Sequence, residues 1–144
     1  MKDGHILLVE DSENDIELTL AALAKHVANE VVVARDGAEA LDYLFRRGLY
    51  AARVGSDPVL VMLDLKMPKV DGLEVLRTVK KDPALKRIPV VILTSSREQR
   101  DVVESYELGV NAYVVKPVEF ENFIDAVKQL GMFWLLLNEP PPLA

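Results

Sequence analysis

Short apolar runs rich in Val, Ile and Leu recur along the chain. They predict β-strands that are covered on both faces, because none of them alternates apolar with polar residues. Four runs are strong, at residues 6–9, 59–63, 90–93 and 112–115. A weaker run at residues 30–34 predicts a fifth strand of edge-like character.

The segments between these runs carry apolar residues three or four positions apart. This spacing is typical of amphipathic helices that pack one face against a sheet. The stripes are Ile16, Leu20, Leu23 and Val27; Leu41, Leu44 and Phe45; Leu73, Leu76 and Val79; and Phe120, Phe123, Ile124, Val127 and Leu130. Three pairs also match a helix N-cap followed three positions later by an acid or amide. They are Ser12 with Asp15, Asp36 with Glu39, and Ser96 with Gln99.

Strands and helices alternate five times along the chain with mostly short connections. This order predicts an α/β fold, a doubly wound parallel sheet with helices on both faces. One connection, residues 46–57, is longer than the minimum. We interpret it either as an extension of the second helix or as an ordered surface loop.

Length and composition limit the possible architectures and partners. The chain has 144 residues, of which 50% are hydrophobic and 28% charged, as expected for one globular domain. A formal net charge of −6 offers no basic field to phosphate backbones, so nucleic-acid binding is not expected. The chain has no cysteine, and its apolar stretches fall short of the roughly 18 residues that a membrane helix needs. We therefore expect a soluble cytoplasmic protein.

Polar residues follow four of the five predicted strands. Glu10 and Asp11 follow the first strand, Asp64 the third, Thr94 the fourth and Lys116 the fifth. Ligands of open parallel sheets bind at this carboxyl edge. Three converging carboxylates repel one another, and a hard dication such as Mg²⁺ relieves the repulsion while leaving them charged. With a hydroxyl and an ammonium group, the set describes a phosphoryl-binding pocket, and Asp64 itself can be the attacking group that forms an aspartyl phosphate.

Each of these residues taken alone has a simpler interpretation. An acid after a strand, such as Asp11 or Asp64, is more often a helix cap or a solvated turn residue. Lys116 alone would be an ordinary surface lysine, and Tyr113 would be a half-buried strand aromatic. The combination at one edge of the sheet is what favours a functional site.

Four motifs resemble the receiver domain of two-component response regulators, over about residues 5 to 130. They are Leu8-Val9-Glu10-Asp11, Leu63-Asp64-Leu65-Lys66-Met67-Pro68 with Asp71-Gly72, Leu93-Thr94-Ser95, and Tyr113-Val114-Val115-Lys116-Pro117. The resemblance implies a flavodoxin-like fold with strand order 2-1-3-4-5. Asp64 would accept a phosphoryl group from a histidine kinase or a small phosphodonor. Glu10, Asp11, Asp64 and the backbone carbonyl of Lys66 would hold Mg²⁺.

The resemblance also implies roles for the other pocket residues. Lys116 would pair with one phosphoryl oxygen, and the Thr94 hydroxyl would bond to another. After phosphorylation, Thr94 would move and Tyr113 would turn into the vacated space, which changes the face formed by the fourth helix, fifth strand and fifth helix. Lys66 and Ser96 occupy positions that tune the lifetime of the acyl phosphate. Such a protein catalyses only its own phosphorylation and dephosphorylation.

The C-terminal residues are the most distinctive part of the sequence. We interpret residues 1–131 as the receiver domain and residues 132–144, apolar at first and then rich in proline, as a tail that forms a dimerisation arm. A tail folded back on its own domain is the alternative. With residues 46–57, this tail resembles single-domain regulators that pair with phytochrome histidine kinases and form homodimers through the fourth helix, fifth strand, fifth helix and an arm. Only about a dozen residues follow Leu130, so the signal is expected to pass to a separate downstream protein.

Two other function classes stay open at this point. Haloacid dehalogenase-like phosphatases have a nucleophilic aspartate, a hydroxyl residue and a lysine that resemble Asp64, Thr94 and Lys116. They carry a second aspartate two residues after the nucleophile, where this chain has Lys66, and that difference disfavours them. The other class is a receiver-like binding module that is not phosphorylated, against which the complete set of acids, hydroxyl and lysine argues.

Overall fold

Five parallel strands form the centre of the protein. The computed structural model describes residues 4–24, 29–65, 67, 69–94, 104–110 and 112–115. The strands are β1 (His5–Val9), β2 (Glu30–Ala34), β3 (Leu60–Leu63), β4 (Val90–Thr94) and β5 (Ala112–Val115). Their order is β2-β1-β3-β4-β5, and every neighbouring pair is parallel. The predicted sheet and strand order are therefore confirmed, with the weaker run of residues 30–34 as an edge strand.

Helices connect the strands. They are α1 (Glu13–Ala24), α2 (Gly37–Phe45) and α3 (Gly72–Lys81), and residues 104–107 are also helical. Short 3-10 turns lie at Gly48–Tyr50 and Leu85–Arg87. In the part of the chain that the structure describes, no helix is long and apolar enough to cross a bilayer. The predicted last helix, around residues 120–130, lies outside the described residues.

The sheet is buried on both faces, because successive strand residues point to opposite sides. Leu7 of β1 belongs with Leu41 of α2 and Leu76 of α3 to one core cluster. Its neighbour Leu8 is also buried but lies outside that cluster, as does Ile16 of α1. We conclude that α2 and α3 cover one face and that α1 lies on the other.

Side-chain caps fix the starts of α1, α2 and α3. The Ser12 hydroxyl accepts a hydrogen bond from the Asp15 amide at 3.2 Å. Asp36 Oδ1 accepts from the Glu39 amide at 2.7 Å, as the sequence pattern predicts. Asp71 caps α3 in the same way. The third predicted cap, of Ser96 with the amide three positions on, lies outside the described residues.

Residues 46–57 form an ordered surface loop and do not extend α2. The helix ends because Arg46 adopts the left-handed conformation, with φ of 55°. The Arg46 guanidinium donates hydrogen bonds to the carbonyl oxygens of Arg53 and Gly55. Arg53 in turn donates to the carbonyl oxygen of Tyr43 at 3.0 Å. The two arginine side chains thus tie the loop to itself and to α2.

Candidate functional site

Three acidic side chains meet at the carboxyl edge of the sheet. Glu10 and Asp11 directly follow β1, and Asp64 directly follows β3, the neighbouring strand. The Asp64 amide donates to the carbonyl oxygen of Val9 at 3.0 Å, and the Glu10 amide donates to that of Ala34 at 2.9 Å. The backbone of both acids therefore continues the hydrogen bonding of the sheet. One carboxylate oxygen from each acid lies within 4.8 Å of the others.

Burial makes this cluster costly unless a positive charge joins it. Glu10 is 2% exposed and Asp64 is 5% exposed, whereas Asp11 is exposed to solvent. Two ionised carboxylates at this separation repel by about 3 kcal/mol or more at an effective dielectric constant of about 20. One Glu10 oxygen also accepts a hydrogen bond from the Ser12 amide at 3.2 Å, which fixes the position of that side chain.

The donor set fits a hard divalent cation. All three groups offer carboxylate oxygens, the ligand type that Mg²⁺ prefers, and Mg²⁺ in proteins keeps several water ligands. Two ligands of one Mg²⁺ lie at most about 4.2 Å apart, so the observed spacing requires only a small contraction or a bridging water. The exposure of Asp11 leaves one side of the cluster open to water.

Residues 65–71, which we call the β3–α3 loop, leave the sheet directly after Asp64. A Cβ atom on Gly72 would lie 2.1 Å from the carbonyl oxygen of Asp64, so the first turn of α3 packs on the backbone of that acid. The Gly72 amide also donates to the carbonyl oxygen of Leu65 at 2.9 Å. Glycine is needed here for close approach. The sequence motif contains Gly72, but only the structure shows why a glycine is required at this position.

A second glycine contact holds the middle of the same loop. A Cβ atom on Gly37, the first residue of α2, would lie 1.9 Å from the carbonyl oxygen of Val70. Lys69 adopts the left-handed conformation, with φ of 64°, and its ammonium group lies 3.3 Å from Asp36 Oδ2. Sequence reasoning assigned Asp36 only as a helix cap and did not consider Lys69.

The structure describes only part of the remaining predicted site. Thr94 ends β4, next to β3, and its backbone pairs with Val115 of β5. The backbone of Tyr113 pairs with Ile92 in the same two strands. The side chains of these predicted site residues lie outside the described part of the chain, as do three whole residues. Those three are Lys66, Ser96 and Lys116.

Comparison with known proteins finds a matching protein family. The family profile described as "Response regulator receiver domain" matches residues 6–128. Response regulator Rcp1 of Synechocystis is 43% identical over 131 residues, which cover 90% of this chain and 88% of that protein.

Solved structures agree with the family match. The bacteriophytochrome response regulator AtBRR superposes with a TM-score of 0.86 at 66% identity, covering 94% of this chain and 98% of that one. The Mn²⁺-bound form of Rcp1 has a TM-score of 0.77 at 41% identity, covering 96% and 99%. The phosphorylated cyanobacterial phytochrome response regulator RcpA has a TM-score of 0.77 at 47% identity, covering 92% and 94%.

Proposed function

This chain belongs to the response regulator receiver domain family, and from that premise we propose that Asp64 accepts a phosphoryl group from a histidine kinase in a Mg²⁺-dependent reaction. Response regulators are signalling proteins, and receiver domains work with histidine kinases. The observation that carries the proposal is the convergence of Asp64 with Glu10 and Asp11 within 4.8 Å. The family match favours this function over the phosphatase alternative.

Asp64 is the acid that we assign as the nucleophile. It follows a central strand, and its backbone is held by β1 on one side and by Gly72 on the other. One Asp64 oxygen forms a bond to phosphorus while the N–P bond of the donor phosphohistidine breaks, and the donor imidazole leaves with that electron pair. An ionised carboxylate needs no separate base, so catalysis consists of positioning and charge neutralisation.

Glu10, Asp11 and Asp64 hold the cation in this proposal, with the backbone carbonyl of Lys66. Bound Mg²⁺ supplies charge neutralisation at the phosphoryl oxygens. The metal-bound form of the relative Rcp1 supports a divalent-cation site in this family. Backbone hydrogen bonds to the neighbouring strands position Glu10 and Asp64, and the Ser12 amide donates to the Glu10 carboxylate.

Lys116 and Thr94 complete the proposed pocket. Lys116 pairs with one phosphoryl oxygen and the Thr94 hydroxyl bonds to another. The pairing of Thr94 with Val115 supports this, because it brings the ends of β4 and β5 to the same edge of the sheet. Movement of Thr94 and rotation of Tyr113 then convert the added charge into a new surface shape. Lys66 and Ser96 are the positions that we assign to tuning the phosphate lifetime.

The proposal also includes the partners of the protein and its assembly. The similarity to bacteriophytochrome and phytochrome response regulators supports a phytochrome histidine kinase as the phosphodonor. We also assign the protein to the cytoplasm. We assign residues 1–131 to the receiver domain and residues 132–144 to an arm that joins the fourth helix, fifth strand and fifth helix in a homodimer. A separate downstream protein receives the signal.

Substitution of Asp64 tests the phosphoacceptor directly. The protein is incubated with acetyl phosphate and Mg²⁺, and its intact mass is measured. Wild type should gain one phosphoryl group and Asp64→Asn should gain none. Asp71→Asn is the matched control, because asparagine preserves the cap of α3 while an acid of the same type is removed seven positions away. Full labelling of Asp64→Asn, or no labelling of wild type, would refute the proposal.

A further inference from the structure

One ion pair connects the start of α2 to the β3–α3 loop. Asp36 uses its two carboxylate oxygens for different partners. Oδ1 accepts the capping hydrogen bond from the Glu39 amide at 2.7 Å, and Oδ2 lies 3.3 Å from the Lys69 ammonium. The Asp36 side chain is only 17% exposed, whereas that of Lys69 is 69% exposed. The largely buried Asp36 carboxylate therefore anchors the exposed Lys69 side chain.

The backbone of Lys69 has an unfavourable conformation, which contacts of this residue help to stabilise. Its φ of 64° lies in the left-handed region, which residues other than glycine, asparagine and aspartate seldom adopt. The next residue, Val70, places its carbonyl oxygen against Gly37, at a distance that no Cβ atom would permit. An unfavourable backbone conformation of this kind persists only where surrounding contacts stabilise it.

The same end of β2 also contacts the acidic cluster. The carbonyl oxygen of Ala34 accepts the Glu10 amide at 2.9 Å, and Asp36 follows only two residues later. The chain around residues 34–37 thus touches a metal-site acid on one side and the loop that follows Asp64 on the other. These contacts link groups that are far apart in sequence.

We propose that Asp36 and Lys69 are positioning residues for the metal site: their ion pair holds the β3–α3 loop in the conformation that allows Asp64 to bind one Mg²⁺ together with Glu10 and Asp11. The inference rests on the proposed function, because it assumes that the acidic cluster takes a cation. It adds two residues that touch neither the cation nor the phosphoryl group.

Two substitutions separate positioning from simple electrostatics. Lys69→Met removes a positive charge, so long-range electrostatics alone predicts tighter Mg²⁺ binding. Asp36→Asn removes a negative charge and keeps the α2 cap, so electrostatics alone predicts weaker binding. Positioning predicts that both variants bind Mg²⁺ more weakly. The expected loss is about two- to fivefold in affinity, the range for a partly exposed ion pair.

The Mg²⁺ dissociation constant is measured by titration calorimetry on the full chain, and phosphorylation by acetyl phosphate is measured separately. The double variant should be no weaker than the weaker single variant, because both changes break the same contact. Lys69→Arg keeps the positive charge and should bind Mg²⁺ with the wild-type affinity. Lys81→Met, at the opposite end of α3, is the matched control and should bind like wild type.

Opposite shifts for the two single variants, additive losses in the double variant, or unchanged affinity in all of them would overturn the inference. Failure of the proposed function is distinguishable from this. Wild type that binds Mg²⁺ but takes up no phosphate contradicts Asp64 as phosphoacceptor, while the affinities of the variants still decide the role of the ion pair. Wild type that binds no Mg²⁺ overturns both.

Discussion

Replacing Gly72 with alanine should disturb the phosphoacceptor while leaving the sheet intact. The new Cβ atom would lie 2.1 Å from the carbonyl oxygen of Asp64 and 2.6 Å from the Cα atom of Leu65, where at least about 3.0 Å is needed. Both opposing atoms belong to the backbone, so they cannot rotate away. The first turn of α3 or the Asp64 segment must therefore move by about 1 Å.

We expect two consequences of this movement in Gly72→Ala. Overpacking should lower the free energy of unfolding by about 1–3 kcal/mol, measured by urea denaturation. A displacement of about 1 Å at the reacting carboxylate should slow phosphorylation by acetyl phosphate about 10- to 100-fold, measured by the time course of intact mass.

Val79→Ala is the matched control for stability. Val79 is buried near the other end of α3, and its truncation should destabilise the protein by a similar amount by leaving a cavity. Its folded fraction should nevertheless be phosphorylated at the wild-type rate. If Gly72→Ala were phosphorylated as fast as Val79→Ala, the argument that this glycine positions Asp64 would be wrong.

Two further predictions concern regions away from the acidic cluster. The pKa of His5 lies below its ordinary value, because burial and then the Arg53 guanidinium disfavour the imidazolium ion. The unfolded chain therefore binds the proton more readily, so the free energy of unfolding should decrease as pH falls below about 6.5. His5→Gln should reduce that dependence in urea titrations between about pH 7.5 and 5.5, and an unchanged slope would assign it to other groups. Truncation after Leu130 should convert a sedimenting dimer to a monomer, and an unaltered dimer mass would exclude an arm in residues 132–144.

The sheet was predictable from sequence because its signal is local. Continuous apolar runs such as residues 60–63 have few ways to be buried other than as central strands. The meeting of Glu10 and Asp64 follows from the same fact, since parallel strands end at one edge. Even so, the third strand begins at Leu60, one residue later than the apolar pattern indicates.

The contacts that support the site were not predictable in the same way, because they join residues distant in sequence. Lys69 meets Asp36 only after α2 and the β3–α3 loop have packed on each other. His5 carries no partner pattern in the sequence, yet its ring nitrogen lies 2.7 Å from the Tyr43 hydroxyl, 38 residues away. The conformation of residues 46–57 likewise depends on arginine side chains that bond to carbonyl groups across the loop.

Locating the phosphoryl group on the chain tests whether Asp64 is the phosphoacceptor. Wild type is treated with acetyl phosphate, with Mg²⁺ or with a chelator, and is then digested for tandem mass spectrometry. We predict a single modified peptide, with the phosphoryl group on Asp64, only in the sample with Mg²⁺. A phosphoryl group on any other residue, or equal modification in the chelated sample, would contradict this prediction.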